Sequence, residues 1–162
     1  MKPTRAGASA SEIEAVYRDG FAAFVRTATA MLGDREAALD VVQDSFALAL
    51  RKRRSFRGDG NLEAWLWRIV VNAVRDRRRA ARRAEPIGSE PDLAEVVDQP
   101  DDLRALVLAL PERQRLAVFL RYYAGLSYAQ IAEALGVRPG TVGALLSNAH
   151  EALRRQLEEA AR

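Results

Sequence analysis

Apolar side chains recur at three- and four-residue spacing along nearly the whole chain, and nowhere do they alternate with polar ones as a half-buried strand requires. That pattern confines the chain to an all-α fold. With 162 residues, 49% of them hydrophobic, there is enough material for one ordinary domain or two small ones. A first helix is predicted from about Ser11, with Ile13, Val16, Tyr17, Phe24, Val25, Ala28, Met31 and Leu32 on one broad face and a stop at Gly33. Asp34 can cap the next helix, which turns Ala38, Val41, Val42, Ser45, Phe46 and Ala49 inward. Its outer stripe is Asp40, Gln43, Asp44 and Ala47, and it ends in the basic string Arg51 to Arg54.

Arg57-Gly58-Asp59-Gly60-Asn61 is rich in turn formers and reads as an exposed loop, with Asn61 as N-cap of a third helix. On that helix the expected buried set is Leu62, Trp65, Leu66, Ile69, Val70 and Ala73, with Trp67 only partly buried. Arg68, Asn72, Arg75, Arg79 and Arg82 follow one another by fours and threes on another face. From about Ala84 to Pro100 helical periodicity lapses and Pro, Gly, Ser and acidic residues accumulate, as in a linker between helical domains. Beyond it, Leu103 to Leu110 suggests a helix ended by Pro111, and Leu116 to Tyr123 another ended near Gly125.

Ser127 followed by Gln130 is a capping box for a short helix that buries Ile131, Ala132 and Leu135 and stops at Gly136. After the turn Val137-Arg138-Pro139-Gly140, an apolar seam of Val142, Leu146, Ala149, Leu153 and Leu157 marks the last helix, leaving Gly143, Ala144, Ser147 and Asn148 outward and Leu145 near the exposed side. Helix, tight turn, helix is the arrangement that places a second helix in the DNA major groove. It is equally the arrangement of an ordinary helical hairpin.

Charge is segregated along the chain. Between Leu50 and Arg83 there are twelve Arg or Lys against three acids, and the next seven charged residues, Glu85 to Asp102, are all acidic. A basic block of this kind suits a polyanion, and nucleic acid is the commonest in the cytoplasm. The absence of cysteine excludes disulfides and thiolate metal sites, and the single histidine, His150, cannot build a multi-histidine one, so no cofactor is expected. No run of about eighteen apolar residues suggests a membrane span, and Met1 to Ser11 lacks the apolar core of a signal peptide. The expected location is the cytoplasm, away from membranes. No nucleophile, base and orienter occur together, and Gly58-Asp59-Gly60 is too short for a phosphate loop, so the expectation is that the protein is not an enzyme.

The ordered motifs resemble those of the extracytoplasmic-function sigma factors of RNA polymerase, from about Tyr17 to Leu157. Asp34 to Phe46 looks like the family's helix that docks on the clamp helices of the polymerase β′ subunit. Phe56-Arg57-Gly58 and Trp65 to Asn72 resemble its promoter-melting loop and -10-reading helix. Leu110 to Arg113, Leu120 to Tyr123, Gly125 to Ala132 and the Gly136-Val137 and Gly140-Thr141-Val142 turns are similar to its -35-reading domain. The resemblance implies residues 11–83 as the core-polymerase and -10 domain, 84–102 as an acidic linker that threads the polymerase cleft, and 103–160 as the -35 domain.

By the same resemblance, Asp40, Gln43, Asp44 and Ala47 would face the polymerase, and Arg57, Gly58, Asp59, Asn61, Arg68, Asn72, Arg75 and Arg79 the -10 DNA. Ser127, Tyr128, Arg138, Thr141, Ala144, Ser147 and Asn148 would face the -35 DNA. The implied partners are core RNA polymerase, through its β′ and β subunits, promoter DNA, and an anti-sigma factor. One departure stands out: the last helix carries Gly143-Ala144-Leu145-Leu146-Ser147-Asn148 where the family usually presents several Lys or Arg, which predicts a weaker -35 contact. A sigma-derived interaction protein, or a helix-turn-helix regulator without promoter melting, is the rival expectation.

Overall fold

The computed structural model describes residues 7–84 and 102–162. Among them the first helical domain comprises α1 (Ala10–Leu32), α2 (Arg35–Lys52), a 3-10 turn (Arg53–Ser55) and α3 (Leu62–Ala84). The second comprises α4 (Asp102–Leu108), α5 (Glu112–Tyr122), α6 (Tyr128–Leu135) and α7 (Pro139–Ala160). No described residue lies in a strand, so the all-α expectation is met. The expected linker lies mostly outside the described residues.

Helix ends follow local chemistry. The Gly33 backbone is left-handed, at φ 77°, and its amide donates to the Thr29 carbonyl. Asp34 Oδ1 accepts from the amides of Glu36 and Ala37, at 2.9 and 3.3 Å. Asn61 Oδ1 accepts from the Ala64 amide at 2.9 Å, and the Ser127–Gln130 capping box closes in both directions. A further capping box, Ser9 with Glu12, starts α1 slightly before the expected Ser11. Pro139 and Gly140, expected in the turn, instead form the first turn of α7, where the fixed φ of proline is already helical and its missing N–H costs nothing.

The packing of α3 departs from expectation. Trp67, not Trp65, is the core tryptophan: it is 1% exposed and stacks on Phe24 with ring centroids 4.1 Å apart. The fully buried face is Ala64, Leu66, Trp67, Val70, Val71 and Val74, directed at α1 and α2. Leu62, Trp65, Ile69 and Ala73 form a separate half-buried stripe, with Trp65 against Phe56 at 5.6 Å. Two apolar stripes exist because α3 has neighbours on more than one side, namely α1, α2 and, from the second domain, α6. A sequence read as one amphipathic face merges them.

In the second domain, Val142, Leu146, Ala149 and Leu153 are buried as expected, but Leu157 is 48% exposed. At about 1.5 Å per residue, α7 outruns the shorter α5 and α6, and its last turns meet only the short α4, where Leu157 and Leu103 line an open groove. Ala134 rather than Leu135 is fully buried in α6, and Leu145, expected near the exposed side, is half-buried and packed on the core.

Candidate nucleic-acid interface

The α2 stripe forms as expected. Asp40, Gln43, Asp44 and Ala47 are all exposed, because Val41, Val42, Ser45, Phe46 and Ala49 take the inner face. Beside it runs an apolar groove of about 420 Å³ between α1 and α2, lined by Ile13, Tyr17, Gln43, Phe46, Ala47 and Leu50. Polar stripe and groove share Gln43 and Ala47, making one amphipathic surface suited to a partner helix.

The loop and helix of the second candidate group are differently placed. Arg57, Gly58, Asp59 and Asn61 lie in the loop ahead of α3, and Arg68, Asn72, Arg75 and Arg79 continue along it. The second domain closes over part of this row. Glu133 of α6 accepts the Asn61 amide proton on both carboxylate oxygens, at 3.1 and 3.3 Å. Gly60 lies so close to that carboxylate that any Cβ there would collide with it. The Arg68 guanidinium sits beside Gly136, and Arg75 pairs bidentately with Glu112, Nε to Oε1 at 3.2 Å and NH2 to Oε2 at 3.1 Å. Asn72 and Arg79 remain exposed.

Two further arginines join the domains by supplying donors to helix ends. Arg104 Nε donates to the Ala30 carbonyl in the last turn of α1 at 3.1 Å, and Arg26 NH2 to the carbonyl of Tyr123, the C-cap of α5, at 3.1 Å. Such carbonyls have no partner within their own helix and carry the negative end of its dipole. The last turn of α1 contains no basic residue of its own. Arg26, Arg104, Glu112 and Glu133 were not anticipated from sequence, since their partners are 97, 74, 37 and 72 residues away and no local pattern links them.

On the helix-turn-helix, Ser127, Tyr128, Arg138, Thr141, Ala144, Ser147 and Asn148 are all exposed. The Ser127 hydroxyl is engaged as the α6 cap, so its free capacity is smaller than the sequence suggests. Tyr128 lies under the Arg121 guanidinium, 5.4 Å from ring centre, and against Gly143. The closed arrangement thus ties the loop ahead of α3 to α6 at Asn61 while its side chains stay exposed, and leaves the outer face of α7 open.

Electrostatics concentrate where α3 meets α5. Burial, then the facing charges of Arg115 and Arg82, push the Arg78 guanidinium down to about 10. Burial likewise lowers Arg115, partly offset by Glu112. For Glu112 burial acts upward, but the hydrogen bonds and charge of Arg75, with Arg79 and Arg115, outweigh it and hold the carboxyl below its ordinary range. Among the described residues no group of three or more His, Asp or Glu comes together as a metal site, and no helix is long and apolar enough to cross a membrane.

Two helical domains, one with a basic helix behind an exposed loop and the other with a capped helix-turn-helix, define a nucleic-acid-binding regulator. Family comparison narrows this. Residues 16–84 match Sigma-70 region 2, and residues 101–153 match Sigma-70, region 4. The chain is 34% identical to the ECF RNA polymerase sigma factor SigL of Mycobacterium tuberculosis, over 95% of this chain and 93% of that one. It is 36% identical to the ECF RNA polymerase sigma-E factor of Salmonella typhimurium, over 70% of each. Among solved structures, CnrH in complex with the cytosolic domain of CnrY superposes with a TM-score of 0.71 at 25% identity, covering 93% of this chain and 90% of that one. The sigma factor RpoE of Bartonella quintana, in complex with the anti-sigma factor NepR, gives 0.67 at 26% identity, over 91% and 98%. The chain belongs to the ECF sigma factors of the sigma-70 family, and its role is promoter-specific transcription initiation with RNA polymerase.

Proposed function

We propose that this sigma factor docks on core RNA polymerase through Asp40, Gln43, Asp44 and Ala47, and opens the -10 element with the 57–61 loop and the Arg68, Asn72, Arg75 and Arg79 row. Ser127, Tyr128, Arg138, Thr141, Ala144, Ser147 and Asn148 contact the -35 element. The observation that carries this reading is the exposed α2 stripe beside an apolar groove, on the same domain as the basic row. Arginines along α3 neutralise phosphates, while Asn72 offers an amide to base edges. A base extruded into the loop costs a few kcal/mol of stacking, which polar groups at Gly58 to Asn61 offset. The Asn61 amide is engaged by Glu133 in the closed form, so parting of the domains frees that donor for DNA while the rest of the 57–61 loop is already exposed.

The partners follow as core polymerase, promoter DNA and an anti-sigma factor of the kind that accompanies the Bartonella quintana protein, and the place of action is the cytoplasm. The two domains correspond to residues 11–83 and 103–160, joined by 84–102, and the chemistry is recognition without catalysis. The test is run-off transcription from genomic fragments with core polymerase alone and with this protein added. New starts that share upstream sequence support the reading. Absence of new starts despite tight binding to core polymerase would instead favour a sigma-derived interaction protein. The specific observation on that side is the outer face of α7, where Gly143, Ala144, Ser147 and Asn148 carry no charge.

A further inference from the structure

Where α3 passes the start of α5, Arg75, Arg78, Arg79, Arg82 and Arg115 line a polar cleft of about 450 Å³ together with a single carboxylate, Glu112. Five guanidiniums against one carboxylate leave an excess of four positive charges in one cavity. Four of them stand on one helix as (i, i+4) and (i, i+3) neighbours, and like charges at these spacings destabilise a helix. Three are held in place. Arg115, 7% exposed, donates NH1 to the carbonyls of Leu108 and Leu110 at 3.0 and 3.3 Å. Arg78 donates NH1 to the Met31 carbonyl at 2.9 Å, and Arg75 is fixed by Glu112. Arg79 and Arg82 at the rim are exposed, with Arg79 reaching Asp76 only at 4.0 Å.

We propose that this cleft binds a compact polyphosphate anion, which bridges α3 of the first domain to α5 of the second and holds the closed form. Preorganised forked donors, exposed arginines at the mouth and, among the described residues, an excess of positive charge match a small ligand bearing several phosphoryl groups. The cavity volume lies in the range of small-molecule sites. Because the ligand touches both domains, its binding and the opening of the 57–61 loop are thermodynamically linked, and each opposes the other. The site stands on the cleft geometry, and because Arg75 and Arg79 also belong to the proposed -10 row, the anion and promoter DNA would compete for them.

Titrating inorganic triphosphate into the full chain at 0.15 M salt, followed by calorimetry, tests it without polymerase. One site per chain is expected. Arg82→Gln, at an exposed position that cannot unfold the domain, weakens binding about tenfold, as one lost charge-assisted contact implies. Arg155→Gln, the same change of charge at an exposed position near the far end of α7, leaves binding within twofold. Equal effects of the two glutamine variants, or indifference to Arg82→Gln, would reduce the interaction to general charge attraction and overturn the site. No binding would do the same. Adenosine triphosphate is the second arm: equal affinity identifies the phosphate chain as the whole determinant, and tighter binding a nucleotide. If a random-sequence duplex binds with Arg82 sensitivity while triphosphate does not, the cleft serves the DNA backbone and the proposal is wrong.

Discussion

Glu133→Ala isolates the contact that ties α6 to the loop ahead of α3. The carboxylate accepts the Asn61 amide on both oxygens and lies directly against Gly60. A hydrogen bond to a charged acceptor contributes about 1.5–3 kcal/mol when shielded from water. Asn61 is exposed, so solvent screening reduces this to about 1 kcal/mol, or a fivefold shift from closed toward open. The chain has no cysteine, so dyes on Ala22→Cys and Glu159→Cys report the distance between domains by energy transfer without background labelling. The variant should show about a fivefold larger open-to-closed ratio at 0.15 M salt. Under the proposed -10 contact, freeing the Asn61 amide should raise the apparent affinity for single-stranded DNA by up to the same factor. Glu151→Gln, on the exposed side of α7, controls for the changed net charge. If energy transfer is identical in the wild type and the Glu133 variant, the contact does not hold the domains together and the linkage between closure and the loop is refuted.

Trp67→Ala should destabilise the first domain by about 3–5 kcal/mol and Trp65→Ala by clearly less, because only the former leaves a cavity against Phe24; urea unfolding followed by circular dichroism separates them. Asp34→Ala removes the α2 cap and should lower stability by about 1 kcal/mol, as a reduced urea midpoint with unchanged slope. Glu112 titrates lower in the folded chain than in the unfolded one. Its contribution to domain closure is therefore fully present above the ordinary glutamate range and lost as pH falls through the depressed value, and Glu112→Gln should flatten that acidic limb in the energy-transfer profile. Under the proposed -35 contact, Arg138→Ala should weaken promoter binding and reduce the salt slope by about 1, whereas Asn148→Ala should relax sequence preference at one position with the slope unchanged.

What was legible in the sequence is what local chemistry decides. Gly33, Asp34, Asn61 and the Ser127–Gln130 pair mark helix boundaries because a cap is made by residues within four positions of one another. The outer stripe of α2 was legible for a related reason: that helix has one buried face, so a single period assigns every residue. On α3 the same reasoning reversed the two tryptophans. Its apolar residues serve both the first-domain core and a second, half-buried stripe, and adjacent positions such as Trp65 and Trp67 then differ in role in a way one amphipathic period cannot express.

The contacts between domains were invisible for a deeper reason. Each joins residues far apart in sequence, and most exchange an arginine with a carboxylate or with the carbonyls at a helix end, groups that are individually at home on a solvated surface. This polar part of the junction is separable. Its charged members regain water when the domains part, so opening loses the pairing without stranding unpaired charges in a dry core. The half-buried apolar stripe of α3 on its α6 side, by contrast, opposes opening. The features that hide the closed form from sequence are therefore those that let it open, and the charge excess left in the arginine cleft makes the balance between the two forms responsive to an anion that spans it.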